Sequence, residues 1–142
     1  MKVVAIVQAR MGSTRLPGKV MRTIGSKTVI ELLLERLSLS KKIDQIIVAS
    51  TTNPKDIPLQ EFLKEKGYEC ELGSEENVLD RYVYVSKLKE ADVVIRITGD
   101  CPLVDYKLID TMIEYFLKED PFKCKDHVGK FSQAFVTYNK SD

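Results

Sequence analysis

The sequence predicts an α/β protein: a mostly parallel sheet with helices on both faces, in one domain of 142 residues. Two observations carry this. Short β-branched runs alternate with stretches of helical period, strand then helix, four times over. The runs themselves, such as Val3-Val4-Ala5-Ile6-Val7, are apolar without interruption, as strands covered on both faces must be. A crossover between parallel strands is right-handed, which brings the helices back onto the sheet.

Each element has its own signal. Val3 to Val7 is the first strand, and a Gly-, Ser-, Thr-, Pro- and base-rich segment follows from Gln8 to Lys27. Thr28-Val29-Ile30-Glu31 has the spacing of a capping box, and Ile30, Leu33, Leu34 and Leu37 continue a helix. Gln45 to Ser50 is a second strand, ended by the polar turn Thr51-Thr52-Asn53-Pro54. Pro58 suits the first turn of a helix reaching about Lys66, and Gly67 its stop. Tyr68 to Leu72 is a third strand. A helix from about Glu75 to Glu90 is expected to bury Val78, Leu79, Tyr82, Val85 and Leu88. Val93 to Thr98 is the fourth strand, with Gly99-Asp100-Cys101-Pro102 as its exit loop. Asp105 can cap a last helix with the stripe Leu108, Ile109, Met112, Ile113, Phe116 and Leu117. The tail, Pro121 to Asp142, has no clean period, though Ala134 to Tyr138 reads as a short strand.

Charge and composition exclude several classes. Lys plus Arg is 22 against 21 for Asp plus Glu, a net charge of +1, which argues against a general nucleic-acid binder but leaves room for a local basic pocket. No apolar run approaches the roughly 20 residues that cross a bilayer, and the opening segment lacks the pattern of a signal peptide. Cys70, Cys101 and Cys124 are odd in number and lack metal-ligand spacing, which suits reduced thiols in a cytoplasmic protein.

Ligands of open α/β sheets bind outside the carboxyl ends of the strands. There the first strand is followed by Gln8-Ala9-Arg10-Met11-Gly12-Ser13-Thr14-Arg15-Leu16-Pro17-Gly18-Lys19. Gly12 and Gly18 allow close backbone approach, Ser13 and Thr14 offer hydroxyls, and Arg10, Arg15 and Lys19 bring positive charge. Such a loop suits a polyphosphate, against the alternative of a solvated basic turn. It is neither a Walker loop, since five residues separate Gly12 from Gly18 and Val20 follows Lys19, nor a G-x-G-x-x-G fingerprint.

Asp100 leaves the fourth strand at the same end of the sheet and is a candidate Mg²⁺ ligand, because that ion takes one or two protein carboxylates beside phosphates and water. Cys101 reads as a packing thiol, and His127, the only histidine, as a surface residue. Ser74 can cap the third helix or touch a base or sugar. Asp80 and Arg81 are either a local surface pair or a site pair, and spacing does not choose between them.

Three ordered blocks resemble the cytidylyltransferase family of nucleotide-sugar synthetases, and most closely its branch of spore coat polysaccharide biosynthesis proteins F. They are Val7 to Lys19, Gly73-Ser74-Glu75 with Val78-Leu79-Asp80-Arg81-Tyr82, and Arg96 to Asp105. The resemblance covers residues 2 to about 119. It implies a three-layer α/β/α nucleotide-diphospho-sugar transferase fold of Rossmann-like type, and a pocket for CTP or another pyrimidine nucleotide under the first loop. Ala9 and Gly12 would lend backbone contacts, with Ser13 beside them. Arg10, Arg15 and Lys19 would hold phosphates and carry the catalytic charge. Ser74 and Arg81 would lie near base and sugar, and Asp100 would bind Mg²⁺. The implied reaction transfers CMP from CTP to a sugar acceptor in cell-surface or spore coat polysaccharide synthesis.

Family members continue well beyond this chain's end, and their later part supplies sugar-binding residues, a second metal-binding Asp and much of the dimer contact. Residues 120–142 do not resemble that part. The chain is therefore expected to be truncated, to keep a nucleotide half-site, to turn over slowly or not at all, and to self-associate through uncovered apolar surface, with a homodimer as one form. Two other readings compete: a nucleotide-binding module without catalysis, and a glycosyltransferase that uses a ready-made nucleotide sugar.

Overall fold

The computed structural model describes residues 1–118 and the backbone strand 134–138. A five-stranded sheet runs in the order β5-β4-β1-β6-β7. Its strands are β1 (Val3–Gln8), β4 (Gln45–Thr51), β5 (Cys70–Gly73), β6 (Val93–Thr98) and β7 (Ala134–Tyr138). The first four are mutually parallel, and β7 pairs antiparallel with β6, Val93 opposite Tyr138. The strand expected at Ala134 to Tyr138 is thus present, as an antiparallel edge. Cys124, His127, Lys123, Lys125 and Lys130 lie outside the described residues.

Alternation along β1 decides the layers. Val3, Ala5 and Val7 face a core shared with α1 (Val29–Leu37), α2 (Ile57–Glu65) and α4 (Tyr106–Lys118), through Leu33, Leu37, Leu59, Leu63, Ile109 and Ile113. Val4 and Ile6 face a smaller core with α3 (Val78–Leu88), through Tyr82 and Val85. Each buried Leu or Ile contributes roughly 1.5–3 kcal/mol, so the continuous apolar run reflects two cores served by one strand.

The N-cap half of the capping box at the head of α1 is formed: the Thr28 hydroxyl accepts from the Glu31 amide at 3.2 Å, while the Glu31 carboxylate lies 3.7 Å from the Lys66 ammonium. Gly67 stops α2 at φ +80°. Asp105 caps α4, its Oδ1 accepting from the Lys107 and Leu108 amides at 3.0 and 3.1 Å.

Four details differ from expectation. The segment before α1 holds a short hairpin, β2 (Thr23–Ile24) with β3 (Lys27–Thr28), turned at Gly25 with φ +65°. Helix α3 begins at Val78, capped by Asn77, whose side chain accepts from the Asp80 amide at 3.1 Å; Ser74 instead accepts from the Asn77 amide one turn earlier. The buried face of α3 is also rotated from the apolar stripe. Leu79 is 61% exposed and Leu88 is exposed, while Arg81 and Ser86 are inside with Tyr82 and Val85. On α4, Leu108 and Leu117 are likewise exposed and Ile109 and Ile113 carry the burial.

Candidate nucleotide site

The order of the parallel strands reverses between β1 and β6, and crevices of such sheets open at a reversal, beyond the carboxyl ends. Both strands end in loops that meet there. The loop after β1 is closed by one carbonyl: Met11 accepts from Ser13 N at 3.0 Å and from Gly18 N at 2.8 Å. Gly18 sits at φ +69°, left-handed backbone that suits glycine, and opens the turn Lys19–Met21. The Ser13 hydroxyl accepts from Leu16 N at 3.3 Å, which keeps its own proton available for a ligand.

The exit of β6 is pressed against the exit of β1. Gly99 N–H donates to the Gln8 carbonyl at 2.7 Å, and a Cβ at Gly99 would lie 2.6 Å from that oxygen and 3.0 Å from the Ala9 methyl. Asp100 follows, and its carboxylate takes the Lys19 ammonium at 2.9 Å. That hydrogen bond holds the Asp100 carboxyl below its ordinary range, against a smaller opposing effect of burial. Cys101 Sγ lies 3.7 Å from both Asp100 Oδ1 and Thr98 Oγ1, within reach of weak sulfur hydrogen bonds, and the side chain also packs against the larger core. Further along, Arg36 Nε donates to the Val104 carbonyl at 2.8 Å and ties the exit loop to α1.

Between the two loops is a cavity of about 260 Å³ lined by Gln8, Ala9, Arg10, Ser13, Thr14, Arg15, Lys19, Val20, Thr98, Gly99 and Asp100. Three cations and one carboxylate give it a positive excess, as a phosphate chain requires. Six of the site residues read from the sequence therefore converge: Ala9, Arg10, Ser13, Arg15, Lys19 and Asp100. Gly12, Ser74 and Arg81 are outside that lining.

Arg81 has a different environment. It is 1% exposed, and its guanidinium nitrogens have no hydrogen-bond partner. Gly73 makes room for it, since a Cβ there would stand 2.8 Å from Arg81 Cγ. Burial lowers the Arg81 pKa, and the charge of Arg10 lowers it further, while Tyr82, Asp56 and Glu75 act the other way. An arginine nevertheless remains protonated. Asp80 is exposed while Arg81 is buried, so the adjacent residues are not a surface pair.

Nothing in the sequence marks Asp56 as part of the site. It sits in a polar turn at the head of α2, yet it is 2% exposed and bonds the Met11 amide at 2.6 Å and the Thr51 hydroxyl. Nothing in its spacing signals a partner 45 residues away.

As a fit for Mg²⁺, a lone carboxylate at a cation-lined cavity suits an ion that is held largely by phosphates and water. Among the described residues, no group of three or more His, Cys, Asp or Glu side chains could hold a metal by itself. Among them, too, no helix is long and apolar enough to cross a membrane.

Comparison with known proteins agrees with this fold. A family model described as cytidylyltransferase matches residues 4–141. The spore coat polysaccharide biosynthesis protein SpsF of Bacillus subtilis is 42% identical over 116 residues, covering 79% of this chain and 48% of that protein. A cytidylyltransferase structure from Leptospira borgpetersenii superimposes with TM-score 0.85 at 34% identity, over 97% of this chain and 60% of that one. The structure of CMP:2-keto-3-deoxy-manno-octonic acid synthetase complexed with CTP gives TM-score 0.72 at 27% identity, over 84% and 48%. The chain spans about half the length of the curated relatives it matches. With a matching family model over nearly its whole length and a parallel-sheet fold shared with these structures, the chain belongs to the cytidylyltransferase family.

Proposed function

We propose that the chain binds CTP in the cavity between the β1 and β6 loops and takes part in transferring CMP to a sugar in the cytoplasm. The observation that supports this best is the convergence of Arg10, Arg15, Lys19 and Asp100 on one cavity at the strand reversal. Arg10, Arg15 and Lys19 bind the triphosphate, Ser13 donates to it, and the backbone at Ala9 and Gly12 approaches the nucleotide. Ser74 and Arg81 serve the base and sugar end.

In the transfer, a sugar hydroxyl oxygen forms a bond to the α-phosphorus, the bond from that phosphorus to the β-phosphate bridging oxygen breaks, and pyrophosphate leaves. The hydroxyl proton passes to solvent. Positioning and charge neutralisation account for the rate, which suits a site built of cations without a nucleophilic side chain. Mg²⁺, when bound at Asp100, would supply neutralisation of phosphate charge. Lys19 is held by Asp100 at 2.9 Å and is ready to exchange that carboxylate for a phosphate oxygen.

The test is pyrophosphate release from CTP and Mg²⁺ with a panel of sugar acids, including 3-deoxy-manno-octulosonate, the sugar named in several relatives. Release that depends on one acceptor supports transfer. CTP binding without release from any acceptor would reassign the chain to nucleotide binding without catalysis.

A further inference from the structure

Asp56 is a buried carboxylate that the transfer chemistry does not use. It stands at the head of α2, where a carboxylate would normally cap the helix, but its side chain makes no capping bond. Both oxygens point instead to other partners. Oδ1 accepts from the Met11 amide at 2.6 Å, and Oδ2 accepts from the Thr51 hydroxyl at the end of β4. Thr51 is itself fixed: its hydroxyl accepts from Asn53 N at 3.2 Å and its carbonyl from Gln60 Nε2 at 3.0 Å. The carboxylate is therefore anchored on the rigid side, with one strong bond reaching into the ligand loop.

The residue it grips is the one on which that loop turns. The Met11 carbonyl closes the loop by accepting from Ser13 and Gly18, and the Met11 amide is the group Asp56 holds. Arg10 precedes that peptide and Lys19 follows Gly18, so the loop's cavity-lining groups hang from this one point. Removing a carboxylate from water is costly unless its hydrogen bonds are made, and both are made here. We infer that Asp56 is the positioning residue of the phosphate loop: by clamping the Met11 amide to the end of β4 it sets Arg10, Ser13 and Lys19, without touching the nucleotide. The consequence for affinity rests on the CTP reading above; the clamp itself does not.

Amide hydrogen exchange by NMR on the full chain tests it, with CTP titrations of the same samples. In Asp56→Ala, exchange at Met11, Ser13 and Gly18 should quicken about ten- to a hundredfold, the loss of one hydrogen bond to a charged acceptor. Core amides of β1 and β6 should keep wild-type rates, and CTP should bind more weakly by a similar factor. Asp56→Asn, whose amide oxygen can still accept from Met11, should recover most of both. Unchanged exchange at the three loop amides, or loosening spread evenly through the sheet, would overturn the inference. If Asp56→Ala does not fold, Thr51→Val is read instead: it leaves the Met11 bond but frees the carboxylate that makes it, so exchange at Met11, Ser13 and Gly18 should quicken by less than about tenfold with the core amides unchanged, and no quickening there would overturn the inference. A wild-type chain that does not bind CTP would defeat the nucleotide reading, and the exchange rates would still decide the role of Asp56.

Discussion

The Lys19 ammonium and the Asp100 carboxylate, 81 residues apart, meet at 2.9 Å across the mouth of the cavity. One comes from the loop after β1 and the other from the loop after β6, so the pair joins the two halves of the site. Replacing Lys19 with Ala should raise the Asp100 carboxyl toward its ordinary value of 3.8, read by carbon-13 NMR titration. A depressed folded pKa contributes stability above pH 3.8 that is lost as pH falls through the lower folded value. Both side chains are more than a third exposed, so solvent screening keeps the cost at neutral pH within about 1 kcal/mol. An unaltered Asp100 titration in the variant would show that Lys19 is not its partner.

Gly99 and Gly12 should respond differently to Ala. At Gly99 the new methyl meets the Gln8 carbonyl at 2.6 Å, a backbone atom that cannot move aside without parting β1 from β6. Chemical denaturation should show a loss of about 1–3 kcal/mol. At Gly12 nothing lies within 4 Å, and the stability change should stay within about 0.5 kcal/mol. Equal effects at both positions would contradict the close approach of the two strand ends.

Arg81 offers a prediction in which stability and binding move apart. Its guanidinium is buried with no hydrogen-bond partner, so no hydrogen bond offsets its desolvation cost, and only the charges of Tyr82, Asp56 and Glu75 act against it. Arg81→Met should therefore match or exceed wild-type stability, by up to about 3 kcal/mol, while CTP affinity falls about tenfold or more. Thermal unfolding and calorimetric titration of the same preparation check both. A destabilised variant with full CTP affinity would make Arg81 a purely structural residue.

Cys70 makes the alkaline limb of stability a test of packing at β5. Burial pushes its thiol from 9.0 up to about 11, with the charges of Glu71 and Asp56 adding to the effect. Above pH 9 the unfolded chain gives up this proton while the folded chain keeps it, so stability should fall between pH 9.0 and about 11. Cys70→Ala should flatten that slope in urea unfolding at stepped pH. An unchanged slope would mean that the thiol is not held protonated by the fold.

Much of this architecture is legible in the sequence, because its signals are local. The unbroken run Val3 to Val7 announced a strand with two covered faces, and Thr28 with Glu31 announced the start of α1. The cations of the first loop and Asp100 were found because both follow strands that a parallel sheet must place at one end. What stayed hidden depends on tertiary partners. Asp56 looks like any turn residue until Met11 arrives from 45 residues earlier. The hairpin at 23–28 is too short to leave a period. On α3, apolar spacing nominates Leu79 and Leu88, but the space beside Gly73 admits Arg81, which takes an inward position instead. Ser74 and Asn77 are both good caps three residues apart, and only the backbone chooses Asn77.

We hold the cavity between Lys19 and Asp100 to be a nucleotide site. Isothermal titration of the purified chain with CTP, with and without Mg²⁺ and with UTP and ATP as controls, tests it most directly. Saturable binding that prefers CTP and strengthens with Mg²⁺ is the predicted result. Absence of binding to any of the three nucleotides in either condition would contradict it.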